Sequence, residues 1–386
     1  MKQIPYAMQW IDGTDVKAVI GALRSDYLTQ GSRIAEFEKK VAKYCGVKYA
    51  VAVSSGTAAL HAACFAAGIK TGDEVITSPI TFVASANCIL YCGGRPVFAD
   101  IQEDTINIDP KNIKKKITNK TKAIIPVHFA GQPCDLEEIK AIAEKNDLLI
   151  IEDASHALGA EYKGSKIGVC KYSDMTVLSF HAVKNITTGE GGMLLTNNEV
   201  YYEKLLMFRT HGITRDPKIM KNQNGGDWYY EMHELGLNYR MTDFQCALGM
   251  SQLKKLDKFV ERRRKIAKKY TNAFKDSSEI NIFEETQEVL SSYHLYVVSV
   301  ENRRKVFDFM RSFGVLVNVH YLPVYLQPYY QSLGYERGLC PNAEKYYRKC
   351  LSIPMYPKMT DEQQDYVIAK LRDVCERIES GCEKCD

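Results

Sequence analysis

The fold of this chain is decided by one stretch, Leu178-Ser-Phe-His-Ala-Val-Lys-Asn-Ile-Thr-Thr-Gly-Glu-Gly-Gly192. It leaves one apolar run, passes Lys184 in a loop rich in small residues, and enters a second apolar run. Earlier in the chain, Asp153 closes the apolar run Leu148-Leu-Ile-Ile-Glu-Asp153. Apolar runs of this length indicate buried strands. We therefore expect Asp153 and Lys184 each to follow a strand of the sheet, at the edge where its ligands bind.

Runs of strand length alternate with helical patterns over about the first half of the chain, which predicts a mostly parallel sheet with helices on both faces. The predicted strands are Tyr49–Val53, Glu74–Thr77, Arg95–Ala99, Ala123–Val127, Leu148–Ile151, Thr176–Phe180 and Gly192–Leu195. The predicted helices between them include Thr57–Ala67, Phe82–Tyr91, Leu136–Lys145 and Glu199–Arg209. A loop joins the last two strands, so we expect one antiparallel element near an edge. Ligands of such sheets bind at the carboxyl ends of the strands.

The rest of the chain predicts a smaller α/β unit. Thr242–Phe274 has the pattern of one long charged amphipathic helix. The elements predicted after it are the strand His294–Val300, the helix Arg303–Phe313, the strand Val315–His320 and the helix Asp361–Ile378. We expect two domains, a large one over residues 1–250 and a smaller C-terminal one over residues 251–386 that the long helix enters.

Composition excludes several classes of function. The net charge of +4 over 386 residues is too balanced for a nucleic-acid-binding protein. No signal peptide or membrane span is predicted, and twelve cysteines without a secretion signal indicate a cytoplasmic protein. No spacing of residues predicts a metal site, and we expect Cys382-Glu-Lys-Cys385 to be a frayed tail.

Lys184 and Asp153 together suit pyridoxal phosphate (PLP). A lysine binds the cofactor aldehyde as an imine, and an acid keeps the pyridine nitrogen protonated. The lysine is then free, once an amino donor has displaced it, to move the proton of the donor carbon. Glu152 is the weaker candidate for the acid because it points to the opposite face if the strand continues.

A phosphate site is predicted where the first strand ends. Ser55, Gly56 and Thr57 form a small-residue turn before a helix, and amides at a helix N-terminus bind phosphate. An ordinary helix cap by Ser55 or Thr57 is the alternative. Ser179 can also donate to the phosphate.

Three further side chains are candidates, each with a structural alternative. Phe82 could lie against a flat heterocycle or pack in the core, and His156 could flank the ring or be structural. Asn238 could bond a phosphate oxygen. For Arg240, a structural ion pair is favoured over binding a carboxylate or a nucleotide phosphate.

These motifs resemble the DegT/DnrJ/EryC1/StrS family of sugar-nucleotide aminotransferases, over nearly the whole chain. The motifs that carry the resemblance are Ser55-Gly-Thr-Ala-Ala-Leu60, Glu152-Asp-Ala-Ser-His156, the Ser179–Gly192 segment and Asn238-Tyr-Arg-Met241. The resemblance implies the aspartate-aminotransferase-like (type I PLP) fold with a seven-stranded sheet in the large domain. It also implies a homodimer with shared active sites, in which Asn238 reaches the cofactor phosphate of the neighbouring subunit.

The resemblance further implies site roles. Lys184, Asp153 and His156 would be catalytic, and Ser55, Gly56, Thr57, Phe82, Ser179 and Asn238 would join them in binding PLP, or its amine form between the half-reactions. The substrate would be lined by Tyr6, Asp26, Tyr27, Leu28, Thr29, His320, Tyr321, Leu322 and Pro323, with Ser55, Ser179 and Asn238. The presence of Lys184 argues against the sugar dehydratases of the same fold, in which this lysine is replaced.

Within the family, Ile4-Pro-Tyr6, Leu28-Thr-Gln-Gly31 and Asn318-Val-His-Tyr-Leu-Pro323 are similar to the branch that serves pseudaminic acid synthesis. This implies amination of C4 of a UDP-linked 4-keto-6-deoxy sugar, UDP-2-acetamido-2,6-dideoxy-β-L-arabino-hexos-4-ulose, with L-glutamate as donor. The alternative is another 4-keto sugar nucleotide, of the UDP-4-amino-arabinose or GDP-perosamine type.

Overall fold

A computed structural model describes residues 3–222, 225–283 and 285–379. The predicted tail motif Cys382–Cys385 lies outside these residues. The strands are β1 Tyr49–Val53, β2 Glu74–Thr77, β3 Arg95–Phe98, β4 Thr121–Ile125, β5 Leu149–Asp153, β6 Glu161–Tyr162, β7 Ser165–Lys166, β8 Met175–Ser179, β9 Gly192–Thr196, β10 Ile213–Thr214, β11 Glu231–Met232, β12 Ile280–Ile282, β13 Val289–Leu290, β14 Tyr296–Val300 and β15 Cys350–Ile353.

The helices, over the same ranges, are α1 Gly13–Leu23, α2 Ser32–Cys45, α3 Gly56–Ala66, α4 Ala84–Tyr91, α5 Pro110–Lys116, α6 Leu136–Lys145, α7 Glu199–Phe208, α8 Asp243–Leu253, α9 Leu256–Phe274, α10 Arg303–Ser312, α11 Pro328–Ser332, α12 Pro341–Lys349 and α13 Asp361–Glu379. None of the helices described is both long and apolar enough to cross a membrane.

The main sheet has the seven strands that the sequence predicts, and their order is β1-β9-β8-β5-β4-β2-β3. β9 runs antiparallel to both of its neighbours, and the other pairings are parallel. β1 and β8 therefore point the same way, and six of the seven strands end at one edge. The antiparallel element near an edge is confirmed, since β9 is second from the edge strand β1.

Both faces of this sheet are buried. Along β1, Ala50 and Ala52 belong to one hydrophobic core and Val51 and Val53 to another. Successive side chains of a strand point to opposite faces, so each face of the sheet has its own core. The continuous apolar runs of the sequence are the expected consequence of burial on both sides.

The predicted single helix over Thr242–Phe274 is wrong in one respect. The chain breaks it at Lys254 and Lys255 into α8 and α9. The Lys255 ammonium lies 2.7 Å from the carboxylates of both Asp12 and Asp15, which ties the break to the start of α1. Neither Gly nor Pro marks the break, so the local sequence has no helix-breaking residue to reveal it.

The C-terminal part contains a three-stranded antiparallel sheet, β12-β14-β15, and its own hydrophobic core, which Ile4 from the N-terminal segment joins. The strand predicted over Val315–His320 is wrong: this segment makes only isolated bridges, from Val315 to Ile4 and from Asn318 to Ser352. Its partners come from distant parts of the chain and pair at single positions. We keep the division into residues 1–250 and 251–386 as a proposal.

Candidate active site

A cavity of about 450 Å³ lies where the strands of the main sheet end. Eleven residues predicted to belong to the site line it: Tyr6, Ser55, Gly56, Thr57, Phe82, Asp153, His156, Ser179, Lys184, His320 and Tyr321. They come from six separate segments of the chain. The parallel strands bring most of these segments together because their carboxyl ends meet at one edge.

One end of the cavity is a small-residue cradle at the start of α3. Ser55 caps this helix, and its hydroxyl accepts the Ala58 amide at 3.0 Å, so the capping alternative holds for this side chain. The amides of Gly56 and Thr57 precede the first intrahelical hydrogen bond, from Ala59 to Ser55. A Cβ on Gly56 would lie 3.0 Å from the Cβ of Ser179. The cradle therefore presents amides, and a side chain at residue 56 would force its neighbours to shift.

Asp153 is held by two donors. It ends β5 and is only 5% exposed. Its Oδ2 accepts the Ser85 hydroxyl at 2.6 Å, and its Oδ1 accepts the Ser155 amide at 3.1 Å. Glu152 does not line the cavity; it accepts from His128 at 2.8 Å and from Thr176 at 3.2 Å. The two neighbouring acids thus lie on opposite faces, as predicted.

Lys184 lies in the loop between β8 and β9 and lines the same cavity as Asp153. Burial lowers the pKa of its ammonium from 10.5 to about 8, and the charge of Asp153 acts in the opposite direction. Removing a charged amine from water favours its neutral form. The neutral form is the nucleophile that attacks an aldehyde, so this site favours a reactive amine near neutral pH.

Histidines form another wall. The rings of His156 and His294 are 4.4 Å apart, and the Nδ1 atoms of both are buried without a partner among the described residues. Burial, with the charge of Lys184 adding to it, lowers the pKa of both imidazoles well below the ordinary value. Burial also lowers the pKa of His320 to about 4, while its Nδ1 lies 2.7 Å from the Ser352 hydroxyl. All three rings are therefore neutral at neutral pH.

Several predicted residues lie elsewhere in this chain. Asn238 and the stretch Asp26–Thr29 are exposed and outside the cavity lining. Leu322 and Pro323 are half-buried and buried, also outside the lining. Phe82 lines the cavity with 58% of its surface exposed. Arg240 makes no ion pair with any described residue of this chain, so its structural ion pair stays a prediction.

Sequence reasoning missed Thr81, Ser85 and His294, which also line the cavity. Ser85 comes three residues after Phe82, in the segment that follows β2, and its position after a strand end was an available signal. His294 lies at the start of an apolar stretch read as a strand. Only packing against His156 brings it to the cavity, so the local sequence held no signal for it.

These residues fit pyridoxal phosphate. The Gly56 cradle would be filled by a Cβ, the amides of α3 suit a phosphate, and Lys184 and Asp153 share one cavity. His156 also lines this cavity, and its buried Nδ1 has no partner among the described residues. A lysine nucleophile, an acid and a phosphate cradle at the strand ends of this sheet define the class of PLP-dependent aminotransferases of fold type I.

Comparisons with known proteins agree with this class of enzyme. The chain matches the DegT/DnrJ/EryC1/StrS aminotransferase family over residues 9–372. It is 41% identical to the spore coat polysaccharide biosynthesis protein SpsC of Bacillus subtilis, over 96% of this chain and 97% of that protein. It is 37% identical to the UDP-4-amino-4,6-dideoxy-N-acetyl-beta-L-altrosamine transaminase of Campylobacter jejuni, over 98% and 99% of the two chains.

Two solved structures are similar throughout. PseC of Helicobacter pylori, an aminotransferase involved in pseudoaminic acid biosynthesis, has a TM-score of 0.90 at 34% identity, over 97% of this chain and 100% of that one. The PLP form of Spr1654 from Streptococcus pneumoniae has a TM-score of 0.91 at 32% identity, over 97% and 99%. The chain belongs to the DegT/DnrJ/EryC1/StrS aminotransferase family, and it is a PLP-dependent sugar aminotransferase.

Proposed function

We propose that the protein transfers the amino group of L-glutamate to C4 of UDP-2-acetamido-2,6-dideoxy-β-L-arabino-hexos-4-ulose, giving UDP-4-amino-4,6-dideoxy-N-acetyl-β-L-altrosamine. The likeness to the Campylobacter jejuni transaminase and to PseC supports this substrate. The observation that carries the reaction is the shared cavity of Lys184 and Asp153. A cytoplasmic location belongs to the same proposal.

The position of each residue in the cavity indicates its role in binding PLP. Bound PLP supplies an electron sink for the bond that breaks at the amino-bearing carbon. The α3 amides of Gly56 and Thr57, with the Ser179 hydroxyl, would hold its phosphate. Asp153 would keep the ring nitrogen protonated, and Phe82 and His156 would flank the ring.

Lys184 carries the proton. Its amine would hold the cofactor aldehyde in the resting enzyme and would be free to act as a base once glutamate had displaced it. With a pKa lowered from 10.5 to about 8, far more of the released amine is neutral near neutral pH than in an exposed lysine, and this neutral form would accept the proton of the donor carbon. The same group then returns a proton to C4 of the sugar. Tyr6, His320 and Tyr321 line the cavity where the sugar ring would bind.

A second copy of the chain would complete the site. Lys184 is the only lysine or arginine among the described residues that line the cavity, yet the ligands bring a phosphate, a diphosphate and carboxylates. Asn238 and Asp26–Thr29, expected at the site, are exposed, and the neighbouring side chains of Tyr27 and Leu28 are 64% and 48% exposed. Their exposure suits segments that a homodimer would place against the partner's cavity.

The dimer is tested by complementation. Lys184→Ala and Asn238→Asp proteins should each be inactive. If sites are shared, a hybrid dimer has one site with both residues intact, so unfolding and refolding the two proteins together should restore part of the activity. Two Lys184→Ala preparations mixed in the same way are the control. A mixture as inactive as its components would refute shared sites.

The substrate is tested with a panel of 4-keto sugar nucleotides. We expect the UDP-L-arabino ketone to give the highest kcat/KM with L-glutamate as donor. The second candidate is the same chemistry on a UDP-4-amino-arabinose or GDP-perosamine precursor. Turnover of a GDP sugar and failure with the UDP-L-arabino ketone would replace the substrate and leave the aminotransferase intact.

A further inference from the structure

A chain of buried hydroxyl groups leads to Asp153 from the helix α4. The Thr81 Oγ1 lies 2.7 Å from the Ser85 Oγ, and the Ser85 Oγ lies 2.6 Å from the Asp153 Oδ2. Thr81 and Ser85 are 3% and 1% exposed, and both border the cavity. Water therefore has little access to either bond, and the geometry of the carboxylate depends on these two side chains.

The direction of the chain follows from the number of protons. An ionised carboxylate only accepts hydrogen bonds, and a serine hydroxyl has a single proton to give. Ser85 therefore donates to Asp153, and its own oxygen accepts from Thr81. The competing acceptor for the Ser85 proton, the carbonyl of Phe82, lies at 3.4 Å and is the weaker one.

The second carboxylate oxygen is also fixed. Asp153 Oδ1 accepts the Ser155 amide at 3.1 Å, so each oxygen has a donor from a different segment. Bonds from donors to an ionised acceptor are stronger than neutral ones and hold its orientation. Of the two donors, the Ser155 amide is backbone, which leaves Ser85 as the donor that a substitution can remove.

We propose that Ser85 is a positioning residue: it fixes the orientation and proton affinity of Asp153 toward the ring nitrogen of PLP, and Thr81 fixes the direction of the Ser85 proton. This rests on the proposed role of Asp153 as the partner of that nitrogen. Ser85 acts through Asp153 and contacts neither substrate carbon.

The visible band of the PLP-loaded protein provides the test. In Ser85→Ala, Asp153 loses a donor and becomes more basic, so the proton it shares with the ring moves toward the carboxylate. The ring then carries less positive charge, and protonation at the Lys184 link becomes easier. We expect the pH midpoint of the band to rise by about one unit, the size of one hydrogen bond to a charged group.

The Ser85→Ala substitution should also affect kcat and KM differently. We expect kcat of the glutamate half-reaction to fall on the order of tenfold in Ser85→Ala. The KM for glutamate should stay near the wild-type value because the Ser85 hydroxyl is bonded to Asp153 and acts through it. Ser85→Thr, which keeps the hydroxyl, should restore both the midpoint and kcat.

The matched control is Ser251→Ala. Ser251 is also buried, and among the described residues its hydroxyl has one hydrogen-bond partner, the Thr14 hydroxyl at 3.5 Å. This variant should leave the midpoint unchanged even if it lowers thermal stability. A folded Ser85→Ala protein with the wild-type midpoint would overturn the proposal. If Ser85→Ala does not fold, Thr81→Val provides the test of the hydrogen-bond chain from Thr81 through Ser85 to Asp153. A rise of the pH midpoint smaller than that expected for Ser85→Ala supports the chain, and an unchanged midpoint rejects it.

These measurements need no sugar nucleotide, so they test the role of Ser85 independently of the proposed substrate. A protein that titrates as expected but aminates none of the sugars would refute the substrate alone. A wild-type protein without a band that depends on Lys184 would refute the PLP site itself.

Discussion

Two walls of the cavity differ in how their polar groups are satisfied. The strand-end wall, formed by Ser55–Thr57, Asp153, Ser179 and Lys184, follows strands of the main sheet, and both oxygens of Asp153 have donors. The histidine wall, formed by His156, His294, His320 and Tyr321, holds two buried Nδ1 atoms without a partner in the described chain.

The difference indicates which wall has its hydrogen bonds satisfied without a ligand. Buried polar atoms without partners cost free energy, and proteins retain them where a ligand will supply the bond. The strand-end wall is preorganised around a fixed carboxylate and amine. The histidine wall still lacks partners for two neutral imidazoles, which suits ligands that bring their own donors and acceptors.

Removing the Lys184 amine should abolish the function of the strand-end wall. We expect Lys184→Ala to lower turnover on the order of 10⁴-fold, because it removes both the covalent link and the base. The measurement is the rate of the glutamate half-reaction, with Lys171→Ala, at an exposed lysine, as control. Retained turnover would mean that another group carries the proton.

The adjacent acids Asp153 and Glu152 on β5 allow the cavity to be compared with the core, because Asp153 lines the cavity and Glu152 does not. Asp153→Asn should lower kcat about 10²–10³-fold, since a neutral amide cannot hold the proton on the ring. Glu152→Gln should instead cost about 1–3 kcal/mol of unfolding free energy, because it weakens the buried bond to His128, and should leave kcat near wild type. Denaturant unfolding and kcat are measured on both; equal losses of kcat would contradict the assignment.

The cradle is tested by filling it. In Gly56→Ala, the new Cβ would lie 3.0 Å from the Cβ of Ser179, so the loop must shift. We expect PLP affinity to fall about tenfold, the equivalent of mild overpacking. Gly21→Ala is the control, since nothing lies within 4 Å of its added Cβ. Fluorescence titration of the apoprotein gives the Kd, and an unchanged Kd would remove the cradle from the phosphate site.

The smallest expected effect concerns pH. Attachment of PLP to the apoprotein needs the neutral amine, so its rate should rise with pH through about 8, the pKa of Lys184. Asp153→Asn should move this midpoint to lower pH, because the Asp153 charge raises the pKa of Lys184. His320→Asn should leave it in place, since His320 is neutral above about pH 4. A midpoint near 10.5 would show that burial does not perturb this amine.

Much of the large unit could be read from the sequence because most of its strands are buried on both faces and are largely apolar. All seven were predicted to within a few residues, including the edge strand β3, which begins at the exposed Arg95. The break at Lys254–Lys255 and the irregular segment Val315–His320 could not be read. They depend on an ion pair to Asp12 and Asp15 and on single bridges to Ile4 and Ser352, which no local pattern records.

By itself the sequence determined the strand-end wall: Lys184, Asp153 and the Ser55–Thr57 turn each follow an apolar run, and parallel strands end at one edge. Only the tertiary structure decided what surrounds them. Ser85 reaches Asp153 because α4 packs beside β5's end, and His294 meets His156 from a stretch more than a hundred residues further along the chain. Contacts of that kind are set by packing between distant elements, which leaves no period or spacing in the sequence.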